Sequence, residues 1–252
     1  MTGRNRLTIS LGGTRMAYKG FDISYCPTKT QLQNFWTGSP FYFTSFYTGP
    51  NASNATSFKG QAAMIKSIGY GLMLVYVGRQ KSSSNLTKSQ GNTDAIDAGS
   101  KIDAEKDANG NAAISTSATI FLDIEQGGQL SSSFLDYIEG FCKGIWDNTT
   151  YYPGIYCSYS STADQIKTRL ETVKIGTVSL ADFTKFWVFR LSNPSPGCTV
   201  TTNLEPSDSG VSYADVWQYA QSPTGTECKI TYNGTTLGVD LDLAITTNPS
   251  GA

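Results

Sequence analysis

The chain alternates short apolar, β-branched or aromatic runs with longer stretches of helical spacing. Eight runs read as strands: residues 18–24 (YKGFDIS), 41–47, 72–77 (LMLVYV), 118–125 (ATIFLDIE), 152–158, 186–191 (FWVFRL), 216–220 (VWQYA) and 237–245 (LGVDLDLAI). The run at 72–77 is apolar without a break, as a strand covered on both faces requires. Helices are predicted between most of them. One follows Pro27 through TKTQLQNFW and stops near Gly38, and another spans 57–68 through Ala62, Ala63, Ile65 and Ile68. A third, at 93–107, places Ala95, Ile96, Ala98, Ile102 and Ala104 at helical spacing. A fourth begins at a Ser132 cap and carries Phe134, Leu135, Ile138, Phe141, Cys142 and Ile145 on one face. A polar helix is expected at 162–173, and loops at 81–92 and 192–213.

Strands alternating with helices imply a parallel sheet. Eight such units in 252 residues match a single (β/α)8 TIM-type barrel. A doubly wound open sheet is the alternative. The last third is expected to be irregular, because loops rather than good helices separate its strands. The expected layout is an N-terminal extension at 1–16, the barrel at 17–247 and a tail at 248–252.

Composition narrows the function classes. Hydrophobic residues make up 39% and aromatics 12%, enough for a sizeable core. Nineteen Lys and Arg against twenty Asp and Glu give a net charge of −1. That balance offers no basic surplus for nucleic acid or an anionic membrane. The chain has no histidine, which removes Ser-His-Asp and Cys-His catalysis and every His-ligated metal site. No apolar run reaches the ~18 residues of a membrane span. The first sixteen residues carry Arg4, Arg6 and Arg15 but no apolar core of a signal peptide, so export would use a removed signal or another route. None of the five cysteines forms a CxxC pair. Cys198 and Cys228 lie in Gly/Ser/Thr/Pro-rich sequence and read either as a disulfide or as small hydrophobic residues.

Barrel enzymes place their chemistry at the C-terminal ends of the strands. Those ends carry Asp22, Tyr47, Tyr76 with Arg79, Asp123 with Glu125, Tyr156, Arg190, Gln218 with Tyr219, and Asp240 with Asp242. Asp123 and Glu125 are two apart on a strand, so both project to one face. Neighbouring carboxylates repel, and burial adds to the effect, so one pKa should rise and give a proton donor beside an ionised partner. Glycoside hydrolysis needs that arrangement. The plainer reading of such a pair is a solvated strand end or a Mg/Ca site.

The motifs GFDIS, FLDIEQG, PGIYCS, FWVFRL, VWQYA and GVDLDL, in this order, resemble the strand motifs of glycoside hydrolase family 25, the barrel lysozymes. The chain is more similar to a sister group, the glycoside-hydrolase-like domain of unknown function 1906. That resemblance rests on GFDIS followed by Cys26-Pro27 and a helix ending in Trp36, on FTSFYTGP, on LVYVGRQ, and on Gly91, Asp94, Ala95 and Ala98 before FLDIE. It implies an acidic groove for a polysaccharide such as peptidoglycan. Glu125 would be the general acid. Asp123 would stabilise the positive charge or orient the substrate's participating group. Asp22 would line the floor, and Asp240 would be the acid of the last strand. Tyr47, Tyr76, Arg79, Tyr156, Arg190 and Gln218 would contact the glycan. For Arg79 and Arg190 an ion pair with Asp22 or Asp123 is the other reading. Asp242 stands where the barrel lysozymes often have Asn.

Three functions are therefore weighed: a muramidase-like hydrolase cleaving a β-1,4 bond, a non-catalytic carbohydrate-binding protein on a degenerate hydrolase barrel, and a structural protein. No cofactor and no metal are expected. A monomer in a secreted or cell-wall-associated location, phage delivery included, is the expectation for its setting.

Overall fold

The computed structural model describes residues 17–191, 198–200, 203–221 and 228–252. The strands are β1 (Tyr18–Asp22), β2 (Phe41–Thr48), β3 (Gly71–Tyr76), β4 (Thr119–Ile124), β5 (Tyr152–Ser158), β6 (Lys174–Ile175), β7 (Val178–Ser179), β8 (Lys185–Phe189), β9 (Val216–Ala220), β10 (Cys228–Tyr232) and β11 (Thr235–Ala244). The α-helices are α1 (Lys29–Gly38), α2 (Ala55–Phe58), α3 (Ala62–Ile68), α4 (Lys88–Asp103), α5 (Ser132–Asn148) and α6 (Tyr159–Glu171). The order β1-β2-β3-β4-β5-β8-β9-β11 closes back onto β1. All eight runs read as strands in the sequence are staves of this barrel, so the expected barrel is the fold and the open sheet is not.

The last third departs from a regular barrel, as expected. β1 to β5, β8 and β9 pair in parallel, but β11 runs antiparallel to both β9 and β1. β10 pairs with β11 through a hairpin turned at Asn233 and Gly234, both with positive φ. No strand is expected at 228–232 from the sequence pattern, although Asn-Gly is the dipeptide such a tight turn prefers.

Two apolar layers follow from strand alternation. Phe43, Met73, Val75, Phe121, Trp187, Val216 and Ala244 fill the barrel interior. The opposite faces of the same strands, including Phe21, Leu74, Leu122, Ile155 and Val188, pack outward in the cluster that holds the buried residues of α1 and α3 to α6.

Several helix starts differ from the sequence reading. Thr28 caps α1 in a capping box with Gln31. Ser131, not Ser132, caps α5, because its side chain accepts from the Phe134 N–H. α4 starts at Lys88 rather than 93, since Thr87 accepts from the Gln90 N–H and opens the helix one turn earlier. The 57–68 stretch divides into α2 and α3 at Gly60, whose φ is positive. Cys198 and Cys228 form the disulfide, tying the loop before β9 to β10. Cys26, Cys142 and Cys157 are free thiols. No helix among the described residues is long and apolar enough to cross a membrane.

Candidate active site

The upper end of the barrel, where the parallel strands finish, gathers carboxyl groups. β1 ends in Asp22, and β4 carries Asp123 with Glu125 just beyond it. Because β11 is antiparallel, its contribution at this level comes from mid-strand: Asp240 pairs with Asp22, and Asp242 lies one step deeper, opposite Gly20 and Gln218. Asp22 is 7%, Asp123 4% and Asp242 0% exposed, whereas Glu125 is exposed to solvent. The mouth therefore has an acidic floor and one accessible acid on its rim.

Specific bonds hold this arrangement. The Tyr47 hydroxyl donates to Asp22 Oδ1 at 3.0 Å. Gln218 Nε2 donates to Asp240 Oδ2 at 2.8 Å. Trp187 Nε1–H donates to Asp242 Oδ1 at 2.9 Å, and the Trp187 ring meets Tyr156 edge-on at 4.5 Å. Ser45 Oγ both donates to the Ile23 carbonyl and accepts from its N–H, fixing the end of β1. Gln80, in the loop after β3, donates to the Asp123 carbonyl at 2.9 Å and accepts from the Glu125 N–H at 3.2 Å. Its amide thus takes the place of a strand partner on the β3 side of the end of β4, where the β3–β4 pairing stops at Leu122.

The electrostatics follow from crowding. Burial, then the charge and hydrogen bond of Glu125 and the charge of Asp22, push the Asp123 carboxyl well above the usual range. The member of the pair that is raised is the inner one, Asp123. Burial, then Asp22 and Asp240, raise Asp242 in the same way, although the Trp187 bond opposes the shift. Burial first, and next these carboxylates, raise the Tyr47 and Tyr156 phenols. Tyr156 feels Glu125, Asp123, Asp22 and Asp240 together, so the four acids named from the sequence surround one space.

The structure brings Asp22, Tyr47, Asp123, Glu125, Tyr156, Gln218 and Asp240 to this mouth. It does not bring Tyr76 there. Met73 and Val75 face inward, so Tyr76 faces outward, where its hydroxyl donates to Asp97 of α4 at 2.8 Å. Neither arginine turns to the acids. Arg79 Nε stands 3.6 Å from Asp94, and its Nη1 donates to the Ser84 carbonyl. Arg79 lines a side cavity of about 310 Å³ with Asn51, Ser83 and Ser84. Arg190 Nη1 donates to the Ser209 carbonyl at 2.7 Å. The ion pairs with Asp22 or Asp123 are thus replaced by these contacts. A larger cavity of about 460 Å³ lies between the end of β2 and α4; it shares Tyr47 with the mouth but none of its acids. Trp187 and Gln80 are site residues that sequence reasoning did not single out, while Asp242, noted there at the end of the last strand, lies buried beneath the mouth. No cluster of His, Cys, Asp and Glu among the described residues has metal-binding geometry.

No curated protein matches the chain in sequence. The fold is similar to the Clostridium perfringens spore cortex lytic enzyme SleM, with a TM-score of 0.58, 13% identity, and coverage of 93% of this chain and 69% of that one. It is also similar to the Mycobacterium tuberculosis Tat-secreted protein Rv2525c, at 0.56 and 16%, covering 93% and 98%. A third similar structure is a muramidase from Acremonium alcalophilum, at 0.51 and 16%, covering 89% and 91%. A family 25 glycosyl hydrolase of Streptococcus pneumoniae shares the fold as well. The model of the Rv2525c-like, glycoside hydrolase-like domain matches residues 34–190, more than half of the sequence, and the chain belongs to that family.

Proposed function

We propose that the protein acts on the glycan of cell-wall peptidoglycan, hydrolysing a β-1,4 bond with the Asp123–Glu125 pair. The observation carrying this reading is one buried, proton-retaining carboxyl in contact with an exposed one, at the mouth of a barrel walled by acids and aromatic rings. Glu125 is the member that a polymer in the groove would reach. It passes the pair's proton to the leaving oxygen as the glycosidic C–O bond breaks. Loss of that proton leaves two adjacent carboxylates, and their charge stabilises the cationic sugar. Water then adds to the anomeric carbon and returns a proton to the pair. Asp22 and Asp240 supply further negative potential, and Tyr47 and Gln218 orient them.

Proteins of similar fold support the substrate class: one is a spore cortex lytic enzyme and one a muramidase. A wall-facing, exported location fits the Cys198–Cys228 disulfide and a Tat-secreted relative.

Wild type and Glu125→Gln, incubated with purified peptidoglycan, test the reading through released reducing ends and fragment masses. New ends from wild type, reduced at least ~100-fold in the variant, are expected. Equal release from both would remove Glu125 from the role. Binding to the wall without release from either would favour the binding-only reading. Contact between Asp123 and Glu125 lends that reading some weight, because the pair does not straddle a bond as two separate carboxyls do.

A further inference from the structure

Among the described residues, four other than glycine have a positive φ: Asn85, Ser117, Tyr159 and Asn233. Asn tolerates that region, and Asn233 sits in a hairpin turn, but a bulky aromatic residue there is an outlier that costs free energy. Tyr159 (φ 64°) follows β5 directly and opens α6, so it lies on the upper rim of the barrel. The strain secures no core packing, since Tyr159 is 47% exposed. Nor does it secure a helix cap. Ser158, the residue before it, makes no capping bond, and its Oγ turns toward the Glu125 carbonyl instead, at 3.5 Å.

The ring's surroundings point to the site. A Cβ built on Gly127, two residues beyond Glu125, would stand 3.5 Å from Tyr159 Cδ2. On the other side the ring meets Phe189, the last residue of β8, at 6.0 Å and 69° between planes. Trp187, on the same face of β8, continues inward to Tyr156. The left-handed backbone therefore turns an exposed ring back over the rim next to the exposed acid. We propose that Tyr159, with Phe189 beside it, is an aromatic platform on which a sugar ring of the bound glycan stacks. Apolar C–H faces of a pyranose suit such a surface. The inference rests on the glycan reading of the same mouth.

The test uses a soluble tetrasaccharide of alternating N-acetylglucosamine and N-acetylmuramic acid, titrated calorimetrically into the full-length Glu125→Gln protein so that the probe stays intact. The same protein is then measured with Tyr159→Phe and with Tyr159→Gly added. Stacking predicts that Tyr159→Phe stays within about twofold of its parent and Tyr159→Gly binds about tenfold more weakly. Glycine relieves the positive φ, so the melting temperature of Tyr159→Gly should equal or exceed that of its parent. A purely structural ring would give the reverse, a lower melting temperature with unchanged affinity, and would overturn the platform. Parental binding that survives Tyr159→Gly overturns the platform and leaves the glycan reading standing. A parent that does not bind the tetrasaccharide overturns both.

Discussion

Asp242 shows how far a single carboxyl can be turned from its ordinary chemistry. It is fully buried, accepts from Trp187, and faces Asp22 and Asp240, with Gln218 opposite on β9. Its protonated form presents one acceptor and one donor, as an amide does. An Asn at this position would keep the Trp187 bond without a titrating group. Folded Asp242 keeps its proton above the ordinary carboxylate pKa of ~4, whereas the unfolded chain releases it there. The folded state therefore binds more protons in the window above ~4, and its stability falls as pH rises through that window. Asp242→Asn removes this one contribution and leaves that of Asp123 in place. The variant should match wild type near pH 4 and melt about 2–4 °C higher at pH 8. Melting curves at both pH values check this, and a difference that does not change with pH would refute the buried, protonated Asp242.

At the level of elements, α4 and α5 meet backbone to backbone. A Cβ on Gly91 would come within 2.1 Å of the Tyr137 carbonyl, and one on Gly140 within 2.1 Å of the Lys88 carbonyl. Both obstacles are backbone, so neither can swing aside. Gly140→Ala should force the helices apart and cost about 1–3 kcal/mol, read from the urea midpoint. The acids of the mouth take no part in this contact, so a folded Gly140→Ala should keep its glycan affinity.

The same scale explains what could be read in advance. The eight staves were legible because alternation or unbroken apolar runs mark them, and Asp123 and Glu125 were legible because a spacing of two fixes a common face. Tyr76 was misplaced for the opposite reason. In a run apolar on both faces, nothing local says which residues look inward, and one step of parity moves the ring from the groove to α4. The partners of the arginines were hidden too, since Asp94 and the Ser209 carbonyl meet them only through tertiary packing. Gln80 and Trp187 carried no signal of their own. Their roles exist only because a loop amide meets the end of β4 and an indole N–H meets β11 across the barrel.

For the whole molecule, closure at the lower end is a separate problem from chemistry at the upper one. β3 and β4 pair directly only from Leu74 and Ile120 upward. Below that level the chain's last residues fill the gap. Leu72 N–H donates to Asn248 Oδ1 and Leu74 N–H to Ser250 Oγ, while Ser250 N–H donates to the Leu72 carbonyl. Thr119 N–H then donates to the Ser250 carbonyl at 2.7 Å, so the segment bridges both strands. Lys185 Nζ reaches the Pro249 carbonyl and ties in β8. Removing residues 246–252 strips buried backbone groups of their partners, each worth about 1 kcal/mol. The truncated protein should therefore lose about 3–4 kcal/mol of unfolding free energy in urea. Below its transition it should still bind the tetrasaccharide with parental affinity, because the acids, Tyr156 and Tyr159 stand at the other end of the barrel. A truncation that leaves the urea midpoint unchanged would show that the strands close without the segment. One that folds as before but loses glycan affinity would show instead that the two ends of the barrel are coupled.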